Sequence, residues 1–93
     1  MRHDADGRLS LAMHFDRADH QRLGAMLAQA RTARNIKQID LAVALDVPQK
    51  TVSLIENGRR KVDALELMAI EQALGFEPLG LIGQIRGELF KHP

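Results

Sequence analysis

The sequence predicts an all-α domain of five short helices, preceded by one β-strand near the N-terminus. Apolar residues recur with helical spacing from residue 17 onward, and Asp, Asn, Gly and Pro residues stand where helices should begin or end. With 93 residues, of which 45% are apolar, the chain can form one hydrophobic core but not two. It contains no cysteine, which excludes thiol catalysis, disulfides and Cys-ligated zinc.

The predicted strand lies at residues 8–15, where apolar and polar side chains alternate. Its apolar face consists of Leu9, Leu11, Met13 and Phe15. Every later segment has helical spacing, so we expect the chain to offer no partner strand, and we predict pairing with the same strand of a second copy. A disordered arm or an extension of the first helix is the alternative. We therefore divide the chain into residues 1–16, a tail and possible dimerisation arm, and residues 17–93, the helical domain.

Five helices follow, at about residues 17–34, 38–45, 49–57 and 63–74, with the last starting at Pro78. Asp16 can cap the first helix, with Asp19 three residues on, near the positive end of the helix dipole, and Asp63 and Glu66 have the spacing of a capping box. Asn35, Asp46 and Gly58 tolerate the left-handed conformation in which helices commonly end. For the fourth helix we expect an inward stripe of Leu65, Met68, Ala69 and Ala73. The last helix offers Leu79, Ile82, Ile85 and Leu89.

Charge is distributed unevenly along the chain, although the net charge is only +1. Residues 34–62 carry six basic and three acidic groups, whereas residues 63–93 carry two basic and five acidic groups. A basic middle segment favours one surface that faces phosphates. An ordinary solvated surface would also explain it, so charge alone does not decide.

The most informative segment is residues 38–57, in which two short helices flank a tight turn at residues 46–48. Ala42 is small enough for the close approach of two crossing helices, and Asp46 can adopt the positive φ that such a turn needs. Several polar side chains of the second helix then face outward, together with one leucine. They are Gln49, Lys50, Thr51, Ser53 and Leu54.

From Leu23 to Leu74 the sequence resembles the Cro/C1-type (XRE) helix-turn-helix family of phage repressors and bacterial regulators. The resemblance runs through Gln38, Leu41-Ala42, the segment Val52-Ser53-Leu54-Ile55-Glu56-Asn57-Gly58 and Leu74-Gly75. Three positions depart from the usual pattern. Lys37 stands where Ser or Thr is common, Asp46 replaces the frequent turn Gly, and Pro48 replaces the frequent Ser that caps the recognition helix.

The resemblance implies a repressor-like fold that binds double-stranded DNA through a recognition helix near residues 49–57. It assigns base contacts to Gln49, Lys50 and Leu54. It assigns contacts to the DNA backbone to Gln38, Thr51, Ser53, Asn57, Arg59, Arg60 and Lys61. Glu56 is expected to hold the fold by pairing with a nearby cation.

The implied function is that of a cytoplasmic, sequence-specific transcription regulator, expected to be a repressor. Because one recognition helix covers only a few base pairs, a homodimer on a palindrome-like operator is expected. The first alternative is a DNA-binding antitoxin that also binds a toxin protein. The second is a protein-interaction module without DNA binding.

Enzymatic, cofactor and metal functions find no support in the sequence. The chain has no glycine-rich phosphate loop and no recognisable arrangement of catalytic side chains. Three histidines and three aspartates cluster near the N-terminus, but their spacing fits no metal-ligand pattern, so we expect them to be solvated. They are His3, His14, His20, Asp4, Asp16 and Asp19. No membrane association is expected.

Overall fold

The computed structural model describes residues 2–3, 9–10 and 14–90. Within these residues the five predicted helices are all present. They are α1 (Arg17–Ala33), α2 (Gln38–Leu45), α3 (Gln49–Glu56), α4 (Ala64–Ala73) and α5 (Gly80–Leu89). None of these described helices is long and apolar enough to cross a membrane.

Two short strands precede the helices, β1 (Arg2–His3) and β2 (Leu9–Ser10), and they pair antiparallel. The expectation that the chain offers no partner strand was therefore wrong, because β1 pairs with β2 within the same chain. Arg2 and His3 show no apolar alternation that could have marked them as strand. Of the predicted strand, residue 8 and residues 11–13 lie outside the described residues, and the prediction was wrong for His14 and Phe15, which belong to no strand. Pairing between two copies stays a prediction.

Helices α1 and α4 both begin with a capping box, which the sequence predicts for α4, whereas for α1 it predicts only that Asp16 is the cap. The Asp16 carboxylate accepts the amide N–H of Asp19 at 3.0 Å, and the Asp19 carboxylate accepts that of Asp16 at 3.0 Å. Asp63 and Glu66 form the same reciprocal pair at the start of α4, at 2.8 and 3.1 Å. Each box satisfies two amide groups that have no partner within the helix.

The hydrophobic core receives side chains from all five helices, so the helices form one unit around the α2–α3 pair. Its buried members are Leu27, Leu41, Ala42, Val52, Ile55, Ile70, Leu74, Leu81 and Ile85.

The predicted inward stripe of α4 was largely wrong. Leu65 and Met68 are 74% and 45% exposed, whereas Ile70, Glu71 and Leu74 are buried. A glutamate at position 71 makes this face look solvent-exposed in the sequence. It is buried because its carboxylate accepts the amide N–H groups of Leu79 at 2.9 Å and Ile82 at 3.0 Å.

Glu71 therefore also determines where α5 begins. Its bonds hold the turn before α5, Leu79 adopts a left-handed conformation with φ 67°, and the helix starts at Gly80 rather than at Pro78. The hydrogen bond from the Ile82 amide lowers the pKa of the Glu71 carboxyl, against the opposing effect of burial. Because the folded-state pKa is the lower one, Glu71 stabilises the fold at neutral pH, and this contribution is lost as the pH falls through the lowered pKa.

The turn between α2 and α3 has the conformation that the sequence predicts, since Asp46 lies at φ 56° and ψ 47°. In Asp46→Gly, relief of left-handed strain should offset the entropy that glycine loses on folding, and each effect is about 1 kcal/mol. We therefore expect unchanged or slightly higher stability in urea denaturation. Asp46→Val should instead lose about 1–2 kcal/mol, because a branched side chain is disfavoured there. A clear loss for Asp46→Gly would show that the aspartate side chain itself stabilises the turn.

Candidate nucleic-acid interface

Helices α2 and α3 form a tightly packed pair joined by residues 46–48. Ala42 is only 1% exposed at their crossing, and its carbonyl accepts the amide N–H of Val47 at 3.0 Å. Val52 and Ile55 bury the inner face of α3. The outer face of α3 is consequently held in one orientation by the packing of its inner face.

The structure places the predicted base-contacting residues on or beside that outer face. Gln49 and Lys50 are exposed in the first turn of α3, and Leu54 is half-buried one turn after Lys50. Thr51 and Ser53, assigned to the DNA backbone, are also half-buried. The long polar side chains that can reach bases thus lie at the N-terminal end of the helix.

Glu56 ties the end of α3 to both preceding helices. Its carboxylate accepts two hydrogen bonds from the Arg31 guanidinium, at 2.7 and 3.0 Å, and one from the Gln38 side-chain amide at 2.9 Å. Arg31 also donates to the carbonyl of Ile36 at 2.6 Å. The side-chain hydrogen bonding between Arg31 and Glu56 raises the pKa of Arg31 above its ordinary value. The expectation that Glu56 pairs with a cation is confirmed.

Gln38 differs in one respect from its expected role at a DNA phosphate. One of its two amide hydrogens is engaged by Glu56. The other, since an amide group carries two, donates to none of the described residues. Gln38 can therefore keep its hydrogen bond to Glu56 and still donate to a phosphate.

Two glycines allow α1 to lie directly against α3. A Cβ on Gly24 would lie 2.4 Å from the carbonyl oxygen of Ile55, and one on Gly58 would lie 2.5 Å from the Cα of Gln21. Gly58 also has φ 73°, as expected of a residue that ends a helix. The sequence analysis missed Gly24, although a glycine three residues before the buried Leu27 was a usable signal.

The basic link that follows α3 consists of Arg59, Arg60 and Lys61. Arg60 forms a bidentate ion pair with Glu66, at 2.7 and 3.1 Å, which lowers the pKa of that carboxyl. Arg59 and Lys61 are exposed and form no ion pair with another described residue. Within the part of the chain that the structure describes, two of the three cations are thus unpaired.

The N-termini of α2 and α3 lack the acidic caps of α1 and α4, although α2 carries Asp40 in its first turn. Their cap residues, Lys37 and Pro48, form no side-chain cap hydrogen bond, whereas α1 and α4 carry carboxylates. Unpaired amide groups and the helix dipole make such ends attractive to anions. An acidic cap would neutralise this effect.

Comparison with known proteins identifies the family. A family model described as helix-turn-helix matches residues 27–81, more than half of the chain. An XRE-family like protein from Pseudomonas syringae pv. tomato is 35% identical in a match that covers 76% of this chain and 87% of that one, with a TM-score of 0.66. The chain belongs to the XRE helix-turn-helix family. It is therefore a DNA-binding transcription regulator of the Cro/C1 type.

Other solved structures agree with this fold. The restriction-modification controller protein C.AhdI from Aeromonas hydrophila is 31% identical, with a TM-score of 0.63 over 69% of this chain and 97% of that one. The clp gene regulator ClgR from C. glutamicum is 26% identical, with a TM-score of 0.68 over 80% of this chain and 96% of that one. None of the curated proteins matches the chain by sequence.

Proposed function

We propose that this XRE-family protein is a sequence-specific repressor that reads a double-stranded operator with α3. The observation that carries the proposal is the juxtaposition of exposed Gln49 and Lys50 with two helix N-termini that lack acidic caps. Gln can bind adenine through two hydrogen bonds, and Lys can donate to guanine. Leu54, one turn further, is positioned to contact a thymine methyl group.

The backbone contacts in this proposal fall into two groups. Gln38 and the start of α2 hold one phosphate, while Thr51, Ser53 and Asn57 line α3 and set its register. Arg59 and Lys61 continue this surface beyond α3. Arg60 contributes less, because its guanidinium is already bound by Glu66.

Specificity is tested with alanine variants on cognate and random duplexes, the cognate site being selected from random DNA. Gln49→Ala and Lys50→Ala should each lose about 1–3 kcal/mol on the cognate site and little on random DNA. Arg59→Ala should weaken binding to every sequence and lower the salt slope by about one unit. Arg60→Ala is its matched control, with a smaller change in slope. Equal losses of the Gln49 and Lys50 variants on both duplexes would contradict base reading.

The uncapped start of α2 gives a second test, which separates stability from binding. Both Lys37→Ser and Lys37→Asp should cap the helix and stabilise the protein by about 1 kcal/mol in urea denaturation. Only Asp places a negative charge beside the phosphate, so it should bind DNA about tenfold more weakly than Ser, a difference of about 1.4 kcal/mol. Equal affinities of the two variants would show that no phosphate lies at this helix end.

We further expect a homodimer in the cytoplasm, since one eight-residue recognition helix spans too few base pairs for useful specificity. Two surfaces are candidates for the interface. One is the arm of residues 1–16, and the other is the side of α4 that exposes Leu65 and Met68, which lie three residues apart. Light scattering should give twice the 10.4 kDa of one chain. If deleting residues 1–15 leaves this mass ratio at two, the arm is not the interface.

The alternatives receive no comparable support. The matched family and the names of C.AhdI and ClgR refer to controllers and gene regulators, and none of them refers to a toxin. A protein-interaction module without DNA binding would not need exposed cations beside uncapped helix ends. A salt titration against random DNA distinguishes it, because a DNA-binding protein loses affinity steeply with salt.

A further inference from the structure

A cleft separates the start of α1 from the basic link after α3. It has a volume of about 420 Å³ and is open to solvent. Arg17 and His20 line it from α1, and Arg59 and Lys61 line it from the link. These two groups are about 40 residues apart in sequence, so sequence analysis had no means of bringing them together.

The close approach of Gly58 to α1 holds the two groups in place. A side chain at position 58 would collide with the backbone of Gln21, so only glycine lets the link lie this near the helix. Because Gly58 and Gln21 each adjoin a cleft residue, the positions of the cations are determined by backbone packing rather than by flexible side chains alone.

The charge of the cleft is predominantly positive. Arg17, Arg59 and Lys61 form no ion pair with any other described residue. Among the residues that the structure describes, Asp16 is the one acidic group that lines the cleft. Its carboxylate accepts the amide N–H of Asp19 and so belongs to the capping box of α1. Three cations beside one engaged carboxylate favour an anionic ligand.

The position of the cleft relative to α3 indicates which kind of anion it would bind. An eight-residue α-helix is about 12 Å long, and the major groove of B-DNA is about 12 Å wide. If the first turn of α3 contacts base edges, residues just after its last turn lie near the backbone that borders the groove. The cleft is lined by Gly58, two residues after the end of α3.

We infer that this cleft binds a backbone phosphate of the operator, flanking the base pairs read by α3, and that Arg17 and His20 are contacts in addition to Arg59 and Lys61. The inference rests on the proposed function, because the phosphate belongs to the same duplex. It extends the DNA-binding surface from the helix-turn-helix segment to the N-terminal end of α1.

The test compares Arg17→Gln and His20→Gln with wild type in salt titrations on two duplexes. The long duplex carries several base pairs beyond the operator on each side, and the short one lacks them. On the long duplex, Arg17→Gln should bind several-fold more weakly, with a salt slope lower by about one unit. His20→Gln should also weaken binding. On the short duplex both variants should bind as wild type does.

Arg34→Gln is the matched control. Arg34 caps the opposite end of α1, where its guanidinium lies 3.7 Å from the ring centre of Phe76. It should leave the salt slope unchanged on both duplexes. Arg17→Lys should keep the wild-type slope, and melting temperatures of all variants identify any loss of folding.

Other outcomes overturn the inference in distinguishable ways. If wild type binds both duplexes with a steep salt slope and Arg17→Gln behaves like Arg34→Gln, the cleft does not contact DNA. If Arg17→Gln weakens binding equally on both duplexes, the phosphate that the cleft binds does not lie in the flanking base pairs. Saturable binding of inorganic phosphate to the cleft without any change in DNA slope would assign it to a free anion. If wild type binds no DNA, the proposed function itself fails.

Discussion

Gly24→Ala is expected to destabilise the protein by at least about 3 kcal/mol, or to prevent folding. The added methyl group would lie 2.4 Å from the Ile55 carbonyl oxygen and 2.7 Å from that of Glu56. Both atoms belong to the α3 backbone and cannot rotate away, so α1 and α3 must separate. Overpacking of this kind typically costs about 1–3 kcal/mol, and a clash with backbone places this site at or above that range.

The same substitution elsewhere provides the control. In α5, a Cβ on Gly87 would meet no other atom within 4 Å. Gly87→Ala should therefore stabilise the protein by about 0.5–1 kcal/mol, through the higher helix propensity of alanine. Urea denaturation of the two variants measures the difference. Wild-type stability of Gly24→Ala would contradict the close contact between α1 and α3.

Most helix boundaries were predictable because local chemistry determines them, the exception being the start of α5, which depends on Glu71. Asp16 and Asp63 cap their helices through residues three positions away, and Asn35 and Asp46 adopt the left-handed conformation at helix ends. Each of these signals lies within a few residues of the boundary that it marks. At Pro78, by contrast, the contacts of Glu71 override the local signal, and α5 begins at Gly80.

The buried face of α4 was not predictable, because it depends on a partner far along the chain. Glu71 is polar in the sequence, and only the approach of residues 79–82 provides amide groups that satisfy it in the interior. The same holds for Gly24, because only the approach of the α3 backbone excludes a side chain at this position. Periodicity records which residues are apolar but not which of two apolar stripes faces the core.

The proposed DNA-binding site likewise has a part that the sequence predicts and a part that it does not. Gln49 and Lys50 are exposed in the first turn of α3, as the motif implies. The engagement of Arg60 by Glu66 was not foreseen, since it depends on the path of the link between α3 and α4. Consequently the resemblance treats Arg59, Arg60 and Lys61 alike, whereas the structure distinguishes Arg60 from its neighbours.

The second large effect is expected for Glu56→Gln. The Arg31 and Glu56 side chains are only 11% and 6% exposed, so removing one charge leaves the other buried without its partner. Breaking a buried ion pair costs about 3–5 kcal/mol, and we expect about 3 kcal/mol here because Arg31 retains its bond to the Ile36 carbonyl. Glutamine has nearly the same shape, which separates this effect from a cavity.

A double-mutant cycle tests whether the loss of stability comes from the buried charge that is left without a partner. Arg31→Met alone should also be strongly destabilising, because it leaves the Glu56 carboxylate with Gln38 as its remaining side-chain donor. Combining Arg31→Met with Glu56→Gln removes both charges, so the double variant should be more stable than either single variant. Urea denaturation gives the three free energies. If the two single losses simply add, the ion pair is not what joins α3 to α1, and the packing around Gly24 must hold the recognition helix instead.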